Sequence, residues 1–336
     1  MGTLRLFLAT AVLLSHAGFR IFHLNPGVTA VICFYLISGY VMVGLVQSHY
    51  DGLRRIPKFY LDRMLRLFPQ YLAYAFAVLA WQLWTGNETF FLTRAPTGVD
   101  LFNNLTAIPL NFYMYNGADK YILIPPAWSL GAELQFYLLA PCMLFWPRVG
   151  LALAGLSLGI HALALHGVLN TDWYGFRLLP GVLWVFGVGM LMFIWQRTRP
   201  RLAAALAWCA PVLAAFLYFC LRGHGLHGAP HHQEVLIGWG IGIPLVHWLS
   251  RLRPGRWDAF AGDVSYGVFL NHFLLIWVLF PQLERTPLQM AVIALSSIAL
   301  SALTQRWIER PVLAWRRRLR KSTTVERHPR SEPDVT

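Results

Sequence analysis

The chain predicts an all-α, polytopic membrane protein of about ten transmembrane helices, and three observations carry that reading. Hydrophobic residues make up 57% of the 336 and charged residues only 13%, where a soluble domain carries about 25% charged residues. Repeated apolar runs reach the roughly 20 residues that cross a bilayer. Lys and Arg gather in alternate connections between those runs, the pattern that retains loops on the cytoplasmic side. The net charge of +13 and the pI near 10.0 therefore mark cytoplasmic loops, with no nucleic-acid partner implied, and no RNP-like or zinc-finger pattern accompanies them.

In chain order, spans are expected at about 4–22, 27–47, 69–85, 128–147, 149–166, 178–195, 202–221, 235–250, 264–282 and 288–308. With the amino terminus inside, 22 of the 28 Lys and Arg fall on that side: Arg5, the 54–66 connection, Arg148, the 197–201 turn, the 251–256 connection and the chain from Arg306 onward. An even number of spans returns the carboxyl terminus to the same side. Segment 86–127 is the long outer connection. Its Leu, Phe and Tyr content predicts a lid packed at the interface rather than a loose loop. Residues 1–320 read as one transmembrane domain and 321–336 as a polar, disordered cytoplasmic tail. Cys33, Cys142, Cys209 and Cys220 all fall in apolar runs without CxxC spacing and read as packing residues.

The residues that suggest chemistry are the ionisable ones inside the apolar runs. Such groups cost roughly 2.5 kcal/mol or more in hydrocarbon and usually line a functional cavity. Arg5 and His16 lie eleven positions apart, which brings a helix back to nearly the same face roughly 16 Å higher. One helix thus carries a cation near one surface and an imidazole near the other. Glu133, five residues into the fourth span, is expected at the depth of His16, roughly 6–9 Å below the outer surface. An imidazole oriented by a carboxylate is a general base for a hydroxyl; the bland reading is a polar staple between two helices. Arg63 and Arg66 share a helical face in a cytoplasmic interfacial segment, either as ordinary inside charge or as a guanidinium clamp for phosphate. Phe34, Tyr35, Ser38 and Gly39 mark close helix packing or a slot for a slender chain. Trp128 opens the fourth span at the interface. Tyr266 and His272 either line the inner half of a cavity or bond a neighbouring helix. The loop from His224 to Glu234 is rich in histidine but has no zinc-like spacing, so no metal is expected. No Walker loop, GxSxG, GxGxxG or HExxH occurs.

Taken in order, these pieces resemble acyltransferase family 3, the integral-membrane O-acyltransferases of exported bacterial glycans. Arg5 and His16 match R-x10-H, and Phe34 to Tyr40 a variant of FFxxSGF. Phe59 to Pro69 match FYxxRxxRxxP, Trp128 to Tyr137 match WSLxxExxFY, Ser265 to His272 match SYxxYLxH, and Trp307 to Pro311 match WxExP. The chain departs from the pattern with Phe-Tyr at 34–35, Tyr40, Phe269 and Asn271. The resemblance implies ten spans in the bacterial inner (cytoplasmic) membrane. It also implies a cytosolic acyl-CoA, normally acetyl-CoA, as co-substrate without a resident cofactor, and a carbohydrate hydroxyl as acceptor on the far side.

On that reading Arg5, Arg63 and Arg66, with Phe34, Tyr35, Ser38 and Gly39, receive the acyl-CoA. His16, oriented by Glu133, takes the acceptor proton, with Trp128 and Tyr137 on the acceptor side. An acyl-histidine relay is the variant route. The rival classes are a glycan or lipid-linked-sugar transporter or flippase, which moves substrate without consuming thioester, and a non-catalytic subunit of a glycan-synthesis complex. Nothing in the pattern specifies an oligomeric state.

Overall fold

The computed structural model describes residues 1–223, 225 and 230–315. The expected tail at 321–336, and His224 and His227 of the histidine-rich loop, lie outside the described residues. Among the described residues the fold is all-helical, with isolated β-bridges only. In chain order the α-helices are α1 (Gly2–His16), α2 (Pro26–His49), α3 (Ile56–Thr85), α4 (Gly98–Thr106), α5 (Tyr113–Asn116), α6 (Ala127–Phe145), α7 (Pro147–Leu165), α8 (Leu179–Thr198), α9 (Pro200–Gly223), α10 (His232–Leu249), α11 (Arg256–Leu279) and α12 (Pro287–Thr304). Among the described residues six stretches are long and apolar enough to cross a membrane: α2, α7, α9, α11, residues Trp173–Thr198 and residues Pro287–Trp315.

Local chemistry explains the boundaries. Asn25 accepts the Gly27 amide at 3.0 Å and Pro26 follows it, which starts α2. Thr286 and Gln289 form a reciprocal capping box ahead of α12. Gly86, at φ 66°, closes α3 in the left-handed region. Two expected boundaries shift. α3 runs unbroken from Ile56 through Pro69, so the Arg63–Arg66 segment is the first half of a 30-residue helix and not a separate interfacial piece. α1 ends at His16, ahead of Gly18 at φ 103°, so the imidazole sits at a helix end and not a few residues below one.

α2 is the hub, packed by α1, α6, α8 and α10, while α11 packs between α1 and α12. The α2–α8 crossing is glycine-mediated: a Cβ on Gly39 would lie 2.0 Å from the Phe186 carbonyl oxygen, and one on Gly189 2.1 Å from that of Leu36. Small residues bring backbones this close where apolar collapse offers little drive between helices. α1 and α11 start side by side, with the Thr3 amide and hydroxyl both donating to Asp258 at 2.9 and 3.0 Å. The 86–126 connection is ordered. Buried Asn104 satisfies its backbone, donating to the Asp100 and Tyr121 carbonyls at 2.9 Å each, and buried Asn111 ties it to its neighbours, donating to the carbonyls of Trp128 and Arg177 at 3.0 Å each. Two π-helical turns, Trp173–Arg177 and Gln305–Glu309, present Arg177 and Glu309 to the interior; such turns recur at functional sites.

Candidate functional site

Two cavities lie in line through the bundle. The larger, about 590 Å³, is walled by Arg5 of α1, Phe34, Tyr35 and Ser38 of α2, Arg63 and Arg66 of α3, Glu133 and Tyr137 of α6, and Tyr266 and Phe269 of α11. Its far end carries Ser48, His49 and Arg197, the end at which the basic connections gather. The smaller, about 60 Å³, is walled by His16, Ser15, Asn25, Trp128, Ser129, Phe176, Arg177 and His231 among others. Val31, Ser129 and Phe269 belong to both walls. The eleven-residue spacing therefore works as helix geometry demands: α1 places Arg5 in one chamber and His16 in the other, on one face.

His16 is exposed and its Nδ1 lies 3.0 Å from Nε2 of His272, with the two rings parallel within 7°. Nδ1 of the fully buried His272 faces the Val268 carbonyl at 3.1 Å. A carbonyl only accepts, so with both rings neutral the His272 proton sits on Nδ1, its Nε2 accepts from His16 Nδ1–H, and His16 Nε2 keeps its lone pair free. Phe273 packs on both imidazoles at 4.8 and 5.1 Å, and Phe91 of the outer connection covers Phe273 at 5.5 Å.

Glu133 is not the partner of His16. Its carboxylate accepts the Ser38 hydroxyl and, at 2.5 Å, the Tyr137 hydroxyl, inside the larger chamber. Depth alone suggested the pairing. Glu133 lies six residues below the start of α6, about 9 Å, whereas His16 ends its helix, so Trp128 and Ser129 meet the small chamber instead. Tyr137 likewise sits in the larger chamber, under the Arg63 guanidinium at 5.8 Å, and not on the side where the acceptor was expected. Gly39 is absent from the cavity wall and faces α8; Ser38, one residue and about 100° away, takes the lining position. His272 lines neither cavity and stands behind His16, while Tyr266 lines the larger one and donates to the Leu67 carbonyl at 3.1 Å.

Both expected clamp arginines hold carboxylates. Arg63 bonds the fully buried Asp62 at 2.5 and 3.1 Å, and Arg66 pairs with buried Glu309 and lies 5.8 Å over the Tyr266 ring. The small chamber has its own ionic frame, which the sequence reading missed. Arg177 lies 4.7 Å over the Trp128 ring, and its Nε donates to both Asp172 oxygens at 3.0 Å. His231 Nε2 lies 3.3 Å from Asp172, and Glu234 accepts the Asn25 amide at 3.0 Å. Burial works against a charged His231, but Asp172 and Glu234 outweigh it and push its pKa up to about 9. The one sequence signal here was the five-residue Asp172–Arg177 spacing, which only a π turn brings onto one face. Among the described residues no group of three or more His, Cys, Asp and Glu is arranged to hold a metal.

A family model described as an acyltransferase domain matches residues 2–306. The chain belongs to acyltransferase family 3. It is an acyltransferase and, with its apolar helices, a membrane protein. An uncharacterized protein of Aquifex aeolicus (strain VF5) is 38% identical over 177 residues, 51% of this chain and 79% of that one. Nodulation protein 10 of Rhizobium leguminosarum bv. viciae is 25% identical over 364 residues, 93% of this chain and 92% of that one. A Staphylococcus aureus (strain COL) protein named as a candidate O-acetyltransferase is 22% identical over 310 residues, 77% of this chain; the chain spans 48% of that protein's length. No solved structure matches. The family match covers both chambers, whose walls run from Arg5 to Phe269, and leaves Glu309, the carboxylate behind Arg66, just outside it.

Proposed function

We propose that this family member is an O-acyltransferase. It takes an acyl group, acetyl for preference, from cytosolic acyl-CoA at the basic end and passes it to a hydroxyl of an exported or membrane-linked carbohydrate at the opposite end. The site is the bacterial inner membrane. The observation that carries the reading is that one helix face sets Arg5 and His16 in two abutting chambers with a shared wall. The larger has the size of a small-molecule site and meets the basic end, where a polyphosphate donor is attracted. The smaller holds an imidazole with a free Nε2 beside Trp128, whose indole suits the apolar face of a sugar. A transporter needs no such oriented base.

In the step itself, His16 Nε2 takes the acceptor O–H proton while His272 accepts from Nδ1–H and steadies the imidazolium. The oxygen attacks the thioester carbonyl, the C–S bond breaks, and the departing thiolate takes the proton from His16. Glu133 acts at a distance from this step: it fixes Ser38 and Tyr137 and offsets the charge of Arg5 in the donor chamber. The test is thioester consumption by purified protein with acetyl-CoA and a host cell-envelope glycan extract, read by thiol release and by mass spectrometry of the glycan. Folded His16→Ala protein is expected to lose transfer. Wild-type turnover by that variant removes the base assignment, and glycan movement without thiol release favours the transporter.

A further inference from the structure

We propose that Phe269 sets which acyl chains reach the base, and that it restricts the enzyme to short ones, acetyl above all. This rests on the donor reading above and adds a specificity-determining side chain to it. The two chambers share only Val31, Ser129 and Phe269 in their walls. Val31 and Ser129 are buried and short, whereas Phe269 is half-buried and the only one of the three long enough to swing. Its ring meets Phe34 on the donor side at 6.2 Å and His272, the partner of the base, at 6.4 Å. A thioester carried from the Arg5 chamber to His16 passes this ring.

The space beyond it is small. At about 60 Å³ the chamber has room for a few water molecules at most, so it admits only the reacting end of an acyl group beside the acceptor hydroxyl. With the acceptor oxygen also present, each carbon added beyond the acetyl methyl meets the Phe269 ring or forces a neighbouring side chain to move. Discrimination by one methylene in such a pocket is about 10- to 200-fold. Phe269 exchanges no atoms or protons in the transfer: the C–O bond forms, the C–S bond breaks and the proton passes through His16 as above, while the ring acts by its size.

The experiment uses the full chain in lipid nanodiscs with acetyl-, propionyl- and butyryl-CoA and host cell-envelope glycan extract, and reads kcat/KM by thiol release. Wild type is expected to fall at least tenfold at each added methylene. Phe269→Ala is expected to raise the butyryl-to-acetyl ratio at least tenfold. Phe269→Leu moves the ratio part of the way and serves if the alanine variant does not fold; Phe269→Tyr, with the same ring, keeps the wild-type ratio. An unchanged ratio in the folded alanine or leucine variant, or a wild type that uses butyryl-CoA as well as acetyl-CoA, overturns the assignment and leaves the donor reading standing. A wild type that consumes none of the three thioesters overturns both.

Discussion

Removing His272 isolates what a second imidazole does for the first. In His272→Ala the acceptor for His16 Nδ1–H disappears, and with it the 3.0 Å contact that fixes ring plane and tautomer. During the reaction that contact becomes a hydrogen bond to a charged donor, worth about 1.5–3 kcal/mol. At about 1.36 kcal/mol per factor of ten, kcat is expected to fall about 10- to 150-fold. KM for acetyl-CoA should hold, because His272 lines neither chamber. His16→Ala loses the base outright, an effect of about 10²–10⁴. The decisive variant is the double alanine. If His272 acts only through His16, the double variant is no slower than His16→Ala alone, the non-additivity of groups that work as a unit. Initial rates of thiol release across the four proteins, with folding checked by thermal unfolding, complete the cycle. Equal factors for His272→Ala with and without His16 would falsify the positioning role, as would wild-type kcat in the single variant.

Other positions give independent outcomes. Glu309→Ala removes the buried carboxylate facing Arg66; loss of one partner of a buried pair costs about 3–5 kcal/mol, so the Tm in detergent should drop well below wild type. Gly39→Ala drives a Cβ against the Phe186 carbonyl and should cost about 1–3 kcal/mol while leaving KM for acetyl-CoA unchanged in the protein that folds; a raised KM with unchanged Tm returns Gly39 to the donor wall. His231 is held charged up to about pH 9, against 6.5 for a free imidazole. A raised pKa contributes stability fully below the unfolded value and loses it as pH rises through the folded one. The difference is worth roughly 3 kcal/mol at most. Tm should therefore fall between about pH 7 and 10 in wild type and less so in His231→Gln, and parallel curves dispose of the linkage. Arg197→Ala should raise KM for acetyl-CoA several-fold with little change in kcat, and less so for the 3′-dephospho donor.

The alignment of Arg5 with His16 was legible because helix periodicity alone fixes it. The partner of His16 was not, because it depends on where two helices begin. A start at 264 puts His272 about 12 Å from the inner end; the actual start at Arg256 puts it about 24 Å up, level with His16. The Thr3–Asp258 hydrogen bonds set that register, with thirteen residues from Thr3 to His16 and fourteen from Asp258 to His272. Glu133 failed for a related reason: α1 ends at His16 while Glu133 lies about 9 Å below the start of α6, so the two are not at one depth and the carboxylate meets Ser38 and Tyr137 instead. The ionic frame of Asp172, Arg177 and His231 was hidden because a π turn follows neither the three- nor the four-residue spacing by which helix faces are read.

The charge arrangement of the larger chamber also changes what its arginines can do. Arg63 is balanced by Asp62 and Arg66 by Glu309, while Glu133 offsets Arg5. Charges taken out of water are costly unless paired, so this balance is what lets three guanidinium groups line an apolar bundle. On the proposed donor reading, a phosphate would compete with a carboxylate already in place at either α3 arginine. Arg197 is different. It lies at the basic end of the cavity over the Phe193 ring at 3.7 Å and pairs with no carboxylate among the described residues. On the proposed donor reading, the pull on an anionic donor concentrates at the rim, and the paired arginines inside act as a frame that orders the cavity for the slender, uncharged part of that donor.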